Sequence, residues 1–102
     1  MQANNDTTGR ALVIHPSDNV ATAIRTGPAV TRYRVQDKSG RGGTDIHTAA
    51  PVEFGHKIAL IPIPAGREII KYGETIGRAT TDIDTGSHVH IHNMESCRGK
   101  GK

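Results

Sequence analysis

Apolar residues occur in short runs along most of the chain, separated by Gly, Pro or Asp. Short runs rich in Val, Ile and Thr are typical of β-strands joined by turns. The runs are ALVI (11–14), NVATAI (19–24), AVTRYRV (29–35), KIALI (57–61), REII (67–70) and HVHIH (88–92). NVATAI is also compatible with a short helix, with Ser17 or Asp18 as its N-cap. The pattern predicts a compact all-β domain with short strands and little helix.

A loose internal repeat places an apolar residue three positions before a glycine and another three positions after it. Glycine adopts positive φ without steric cost, so each copy predicts a tight turn that leads into a strand. The spacing between copies is too irregular for a solenoid. The copies are Val52-x-x-Gly55-x-x-Ile58, Ile63-x-x-Gly66-x-x-Ile69 and Ile83-x-x-Gly86-x-x-Val89.

Polar segments set the expected domain boundaries. Residues 1–9 and 95–102 are polar and rich in Asn, Gly and Lys, which predicts flexible ends around a domain at 10–94. The segment QDKSGRGGTD at 36–45 has three glycines and no apolar residue. It predicts an exposed loop, either mobile or shaped as a long hairpin.

Composition limits what the chain can do alone. It has 102 residues, of which 34% are hydrophobic and 3% aromatic, so the core is expected to be modest. An extended active-site cavity enclosed by this chain alone is not expected. A domain that borrows surface from a partner, or from its own copies as a homo-oligomer, fits better.

The charge pattern argues against nucleic acid as a partner. The net charge is +3, but the basic residues are spread over the first half and the C-terminal tail. No basic face with stacking aromatics and no reading helix is visible. Cys97 is the single cysteine, so no internal disulfide forms and an exposed thiol without a role is expected.

Targeting signals are also missing from the sequence. No apolar run approaches 18 residues, so no membrane span is predicted. The first nine residues lack the apolar core of a signal peptide, which favours a cytoplasmic location.

The segment SHVHIHN at 87–93 carries the strongest chemical signal, because His88, His90 and His92 alternate with Val89 and Ile91. In a strand the three histidines would share one face, with Val and Ile in the core on the other. Neighbouring histidine Cα atoms would lie about 7 Å apart, so two imidazoles could converge on one divalent metal. The third would be freer to bind substrate or transfer a proton. The alternative is a half-buried strand with a merely polar outer face.

Three further segments carry weaker signals. IHPSDN at 14–19 reads as a strand that ends in a capped turn, or as a site where His15 is a metal ligand supported by Asp18. GHK (55–57) and KYG (71–73) each place a lysine beside a turn glycine. Lys57 and Lys71 are either solvated or positioned to hold a substrate carboxylate.

Four segments, taken in order, resemble the N-terminal domain of the altronate dehydratase family of sugar-acid dehydratases, a member of the SAF group of β-clips. They are HPSDNVATA (15–23), GHKIAL (55–60), IIKYGETIGRA (69–79) and HVHIHN (88–93), and the resemblance covers about residues 12–93. It implies a compact SAF-type β-clip and elimination of water from a sugar acid to give a 2-keto-3-deoxy acid. The loop at 36–45 is longer than the family leads us to expect.

The resemblance also implies a larger catalytic partner. In this family most of the enzyme lies C-terminal to the SAF domain, whereas this sequence stops at Lys102. We therefore expect either a small subunit, which the tail ESCRGKGK favours, or a truncated piece. The small subunit of sulfolactate sulfo-lyase resembles the same GHK, KYG and HxHxHN series, but HPSDNVATA favours the dehydratase. Galactarate dehydratase shares the first three motifs and is less similar at HVHIHN.

Site assignments follow from the motifs and the resemblance together. The resemblance implies iron or manganese, and a histidine-only site also suits zinc. The large dehydratase subunit is expected to carry most of the chemistry, so the isolated chain should be inactive; no residue is assigned as the catalytic base. A non-catalytic SAF module for carbohydrate binding or assembly is the alternative. The expected metal ligands are His88 and His90, completed by His15 or His56, and the expected substrate-binding residues are Lys57, Lys71, His92 and Asn93.

Overall fold

The computed structural model describes residues 8–96, which form nine short strands and no helix. The all-β prediction is therefore confirmed, and the strands and turns agree with an SAF-type β-clip. Within the described residues no helix is available that could cross a membrane. The strands are β1 (Gly9–Leu12), β2 (Val20–Arg25), β3 (Arg32–Gln36), β4 (Gly42–His47), β5 (Lys57–Ala59), β6 (Glu68–Lys71), β7 (Glu74–Ala79), β8 (His88–Val89) and β9 (Met94–Ser96).

The strands form two sheets. The larger sheet has six strands in the order β4-β3-β1-β2-β5-β8, and the smaller has three in the order β6-β7-β9. The β1–β3 pair is parallel, and every other strand pair in these sheets is antiparallel. An isolated antiparallel bridge between Ile63 and Ile83 joins two of the repeated turn units.

Two apolar clusters form the core on opposite faces of β2 and β5. Side chains of successive strand residues point to opposite faces. Ala21 and Ile58 belong to the first cluster, whereas their neighbours Val20 and Ala59 belong to the second. These two strands are therefore covered on both sides and hold the domain together.

The repeated turn frame is confirmed. Gly55, Gly66 and Gly86 have φ values of +85°, +88° and +87°. In each copy the residue after the glycine donates its backbone N–H to the carbonyl three positions earlier, which closes a β-turn. The apolar residues that flank each turn are all buried: Val52, Ile58, Ile63, Ile69, Ile83 and Val89.

The strand predicted at 19–24 is confirmed, and the alternative of a short helix there is wrong. This segment forms β2, which pairs with β1 on one side and β5 on the other. Asp18 does not cap a helix; its carboxylate accepts hydrogen bonds from the backbone N–H groups of Ile14, His15 and Gly73. The β-branched residues of the segment and its two strand partners override the local helix signal.

The expected domain boundaries differ slightly from the structure. Residues 95 and 96, placed in the C-terminal tail from the sequence, belong to β9 and pair with β7. The segment 36–45 is a hairpin: a turn at 37–41 connects β3 to β4, which starts at Gly42. Cys97 and the remaining terminal residues lie outside the described part of the chain.

Candidate functional site

The turn at 53–56 and the start of β5 place His56 opposite His88. The His56 N–H bonds to the Glu53 carbonyl, and the His56 carbonyl accepts from Ala23 N–H, so its backbone is held on both sides. Ile58 pairs with His88, and His56 lies two positions before Ile58, so both imidazoles project from the same face. His56 Nδ1 and His88 Nε2 are 2.8 Å apart.

The strand predicted through His92 ends earlier than expected. Strand β8 stops at Val89, and residues 91–93 form a turn. Ile91 was expected in the core but is 84% exposed, so this prediction is wrong. The turn swings His90 back toward His56, which leaves their ring centroids 4.1 Å apart.

Asn93 explains why the strand ends there. Its side-chain Nδ2 donates to the His88 carbonyl at 2.8 Å, and its Oδ1 accepts from the His90 N–H at 3.0 Å. The side chain is buried, with only 6% of its surface exposed. Asn93 therefore clamps the backbone that carries two of the histidines, as an amide that terminates the strand. With both polar ends engaged in this way, its geometry favours positioning over direct contact with substrate.

His56, His88 and His90 form the one group in the described chain whose side-chain nitrogens could hold a metal ion. One ligand atom from each lies within 4.8 Å of the others. Ligand nitrogens around a tetrahedral ion with bonds near 2.1 Å are about 3.4 Å apart. The three ring planes lie within 15° of parallel, so the rings would have to rotate for their lone pairs to meet at one ion. All three histidines are partly buried. The donor set therefore fits a divalent metal that accepts imidazole ligands.

The environment of the cluster favours neutral imidazoles. Partial burial lowers the pKa of His88, and the nearby imidazoles of His56, His92 and His90 add to the effect. The pKa of His90 is lowered by desolvation, by His56 and by Lys57. Neutral imidazole is the form that binds a metal or accepts a proton.

His92 lies beside the cluster and not within its ligand group. Its ring centroid is 5.3 Å from that of His88, at an angle of 43°. His88 and His92 also line a cavity of about 460 Å³ between the loop at 47–52 and the turn at 84–87. This space gives a small polar ligand access to the side of the cluster.

The two lysines predicted to hold a carboxylate are close to each other. Lys57 is half-buried on β5, and its pKa is lowered first by burial and then by Lys71. Lys71 ends β6, and its Nζ lies 4.9 Å from the centroid of the Tyr72 ring. Lys57 also contributes to the lowered pKa of His90. On β5 it pairs with Val89 and directly precedes Ile58, so its side chain points to the face opposite that of His56 and His88.

A tight hairpin turn positions Lys71. Tyr72 and Gly73 form its two central residues, with φ values of +60° and +73°. Such a turn suits glycine and is strained for tyrosine. Asp18 Oδ1 accepts the Gly73 N–H at 2.8 Å, which fixes the tip of the hairpin.

His15 is not brought into the metal-binding group. It is exposed, its ring packs against Gly73, and its Nδ1 contacts the Ser17 hydroxyl at 2.9 Å. Asp18, considered from the sequence as a carboxylate support for His15, directs its oxygens to backbone N–H groups instead. Of the two residues expected to complete the site, the geometry selects His56.

Sequence reasoning missed Asn19, which repeats the Asn93 arrangement elsewhere. Asn19 Nδ2 donates to the Glu68 carbonyl, and its Oδ1 accepts the Ile70 N–H at 2.8 Å. Each asparagine thus bridges the carbonyl of one residue and the N–H of the residue two positions later. No local signal distinguishes such a bridge, because the partners of Asn19 lie about 50 positions away in sequence.

The fold and the site together define a small β-clip domain that carries a cluster of three histidines. The family model for the altronate/galactarate dehydratase SAF domain matches residues 9–97. The chain therefore belongs to the altronate/galactarate dehydratase SAF domain family.

Relatives of more than one kind are similar to this chain. It is 37% identical to altronate dehydratase of Bacillus subtilis (strain 168) and 40% identical to that of Escherichia coli (strain K12), each over 83 residues. These matches cover 81% of this chain but only 16% of each dehydratase. It is 31% identical over 91 residues to (2R)-sulfolactate sulfo-lyase subunit alpha of Chromohalobacter salexigens, covering 84% of this chain and 94% of that subunit.

Proposed function

We propose that this chain is the SAF component of an altronate dehydratase-like hydro-lyase, which removes water from a sugar acid together with a large catalytic chain. The observation that carries the proposal is the convergence of His56, His88 and His90, in a domain of a dehydratase family. The product would be a 2-keto-3-deoxy acid. The isolated chain is expected to be inactive.

The three imidazoles would hold a divalent metal such as iron, manganese or zinc. Their nitrogens are close enough to share one ion, and two of them have lowered pKa values that reduce competition from protons. A bound ion would supply Lewis-acid polarisation of a substrate oxygen and would stabilise negative charge. Asn93 keeps two of the three ligands in place through their backbone.

The lysine pair would bind the carboxylate of the sugar acid. A half-buried ammonium beside a second lysine is poorly stabilised until an anion arrives, so Lys57 gains from a carboxylate partner. Tyr72 and Gly73 form the turn that follows Lys71, and the Lys71 ammonium lies over the Tyr72 ring. His92, next to the cavity by His88, would contact the hydroxylated end of the substrate.

The remaining chemistry would come from the large chain. Elimination needs a base for the proton α to the carboxylate and an acid for the leaving hydroxyl. The described site is open at the surface, and no base is assigned within it. The matched altronate dehydratases have most of their length outside the matched region, which supports a separate source for these groups.

A second candidate is a sulfolactate sulfo-lyase-like function. It is favoured by one observation, the coverage of 94% of the Chromohalobacter salexigens alpha subunit. Both reactions remove a proton next to a carboxylate and expel a leaving group from the adjacent carbon, hydroxide in one and sulfite in the other. The same lysine pair and histidine cluster would serve either substrate.

Co-purification with turnover assays tests the proposal. The tagged chain would be isolated from its host with its partners, and both the pair and the chain alone would be assayed. Sugar acids would be scored by 2-keto-3-deoxy acid and sulfolactate by sulfite. Turnover of sugar acids by the pair, and not by the isolated chain, supports the dehydratase function. Sulfite release by the pair supports the second candidate. Turnover by the isolated chain, or a self-assembled chain without any lyase partner, would contradict the proposal in favour of a self-sufficient enzyme or an assembly module.

A further inference from the structure

A second surface, at the other end of the larger sheet, gathers positive charge. Four arginines from β1, β2 and β3 line a groove of about 510 Å³, away from β8, which carries His88. In the sequence these arginines are scattered and suggest no basic face. The groove is lined by Arg10, Arg25, Arg32 and Arg34, together with Thr8, Gly9 and Gln36.

Strand register explains why the arginines meet. Arg10 pairs with Arg25 across β1 and β2 and with Arg34 across β1 and β3. Arg32 lies two positions before Arg34, so its side chain points to the same face. The intervening Tyr33 points to the other face and is completely buried. One face of the sheet therefore packs the core, and the other presents four guanidinium groups.

The described residues neutralise only part of this charge. Asp45 pairs with Arg34 at 3.0 Å and with Arg32 at 3.9 Å. Arg10 Nε donates to the neutral Gln36 Oε1 at 2.8 Å. Within residues 8–96, no carboxylate forms an ion pair with Arg10 or Arg25.

Solubility or edge protection does not account for this arrangement. Like charges at paired positions destabilise a sheet. Charged side chains that protect a sheet from unwanted pairing belong on edge strands. Here the arginines are on β1, β2 and β3, which are interior strands of the six-stranded sheet. An anion bound across the row would offset the repulsion.

We propose that the arginine groove binds a small oxyanion that carries two or more negative charges, of the polycarboxylate or phosphate class. Guanidinium groups match carboxylate and phosphate oxygens with paired hydrogen bonds. The volume suits a small molecule, and the described lining contains no aromatic side chain on which a nucleobase could stack. This assignment does not depend on the proposed lyase function, because it uses none of the same residues.

Isothermal titration of the full chain with citrate and with inorganic pyrophosphate, at low ionic strength, tests the assignment. Saturable binding of one anion per chain is expected for at least one of the two. Arg25→Gln should weaken it about tenfold, because a charge-assisted contact is lost. Arg25→Lys should weaken it less, because the charge stays while the fork is lost. Arg41→Gln is the matched control: it removes the same charge from the 37–41 turn, outside the groove, and should change affinity less than about twofold.

Three results would overturn the assignment. The first is no saturable binding of either anion to the wild-type chain. The second is an equal loss in the Arg25→Gln and Arg41→Gln variants, which would indicate a general charge effect. The third is binding of an acidic peptide or an oligonucleotide by a chain that binds neither small anion, which would make the groove a macromolecular contact. Circular dichroism of each variant verifies that the fold is retained.

Discussion

Replacing Asn93 with Ala should weaken both the fold and metal binding, because one side chain holds the backbone of two candidate ligands. The substitution removes the bonds at 2.8 Å to the His88 carbonyl and at 3.0 Å from the His90 N–H. A buried group left unpaired costs about 1–3 kcal/mol. Since water can reach part of the exposed turn, we expect a total loss of about 2 kcal/mol in the free energy of unfolding. For a domain of this size, that lowers the melting temperature by roughly 10 °C.

The effect on metal affinity separates positioning from simple destabilisation. Loss of a residue that orients metal ligands typically weakens binding by about 10–100-fold. Asn19→Ala is a matched control, since it removes the same pair of amide bonds, here to Glu68 and Ile70. It should destabilise the fold by a similar amount and leave metal affinity unchanged.

Urea unfolding and titration with Co²⁺, both at neutral pH, measure the two quantities on each variant. The absorption of bound Co²⁺ also reports the ligand geometry. If Asn93→Ala binds Co²⁺ as tightly as the wild-type chain while losing stability like Asn19→Ala, the reasoning about Asn93 is refuted.

Three further predictions concern pH, charge and turn geometry. The folded-state pKa of His88 lies below its usual 6.5, so between these two pKa values the unfolded, metal-free chain binds more protons than the folded chain. The free energy of unfolding should therefore fall as the pH drops through this range, and His88→Asn should flatten that dependence in urea unfolding. An unchanged pH dependence in His88→Asn would contradict the argument. Lys57→Met removes a half-buried ammonium beside another lysine, so it should keep or raise the urea midpoint of unfolding. The same substitution should reduce turnover of the lyase complex. A clear loss of stability in Lys57→Met would contradict this prediction. In thermal unfolding, Gly86→Ala should lower stability by about 1–3 kcal/mol more than Gly66→Ala. Both glycines have positive φ, but only at position 86 would a Cβ meet a backbone carbonyl of β4. Equal losses of stability in the two variants would argue against this steric difference.

Short-range patterns predicted much of the fold. The glycine frame around Gly55, Gly66 and Gly86 was readable because each turn is local and needs one residue with positive φ. The apolar residues that flank each glycine are buried, as their place in the repeated frame had suggested. The clustering of runs rich in Val and Ile was enough to predict an all-β domain.

Long-range contacts decided what the sequence could not show. The composition of NVATAI was compatible with a strand or a short helix, and its pairing with β1 on one side and β5 on the other decides for β2. The histidine strand ends at Val89 because the Asn93 side chain bonds to backbone at 88 and 90. The exposed position of Ile91 follows from that turn.

The candidate site was predicted only in part, because its geometry also depends on long-range contacts. His88 and His90 were identified from their spacing, but the actual convergence depends on the turn and not on a regular strand. His56 was one of two options, and the pairing of Ile58 with His88 selects it over His15. The arginine groove was invisible in the sequence, because register across three strands creates it.

Activity of the reconstituted complex with His88→Ala tests the central claim most directly, with Arg41→Ala as control. Arg41 is exposed in the turn at 37–41 and lies outside both the metal-binding group and the cavity beside His88. We expect both variants to fold and to assemble with the large chain, His88→Ala to abolish elimination from the substrate, and Arg41→Ala to retain it. A His88→Ala complex that assembles and turns over at the wild-type rate would contradict a functional histidine cluster and indicate an assembly module.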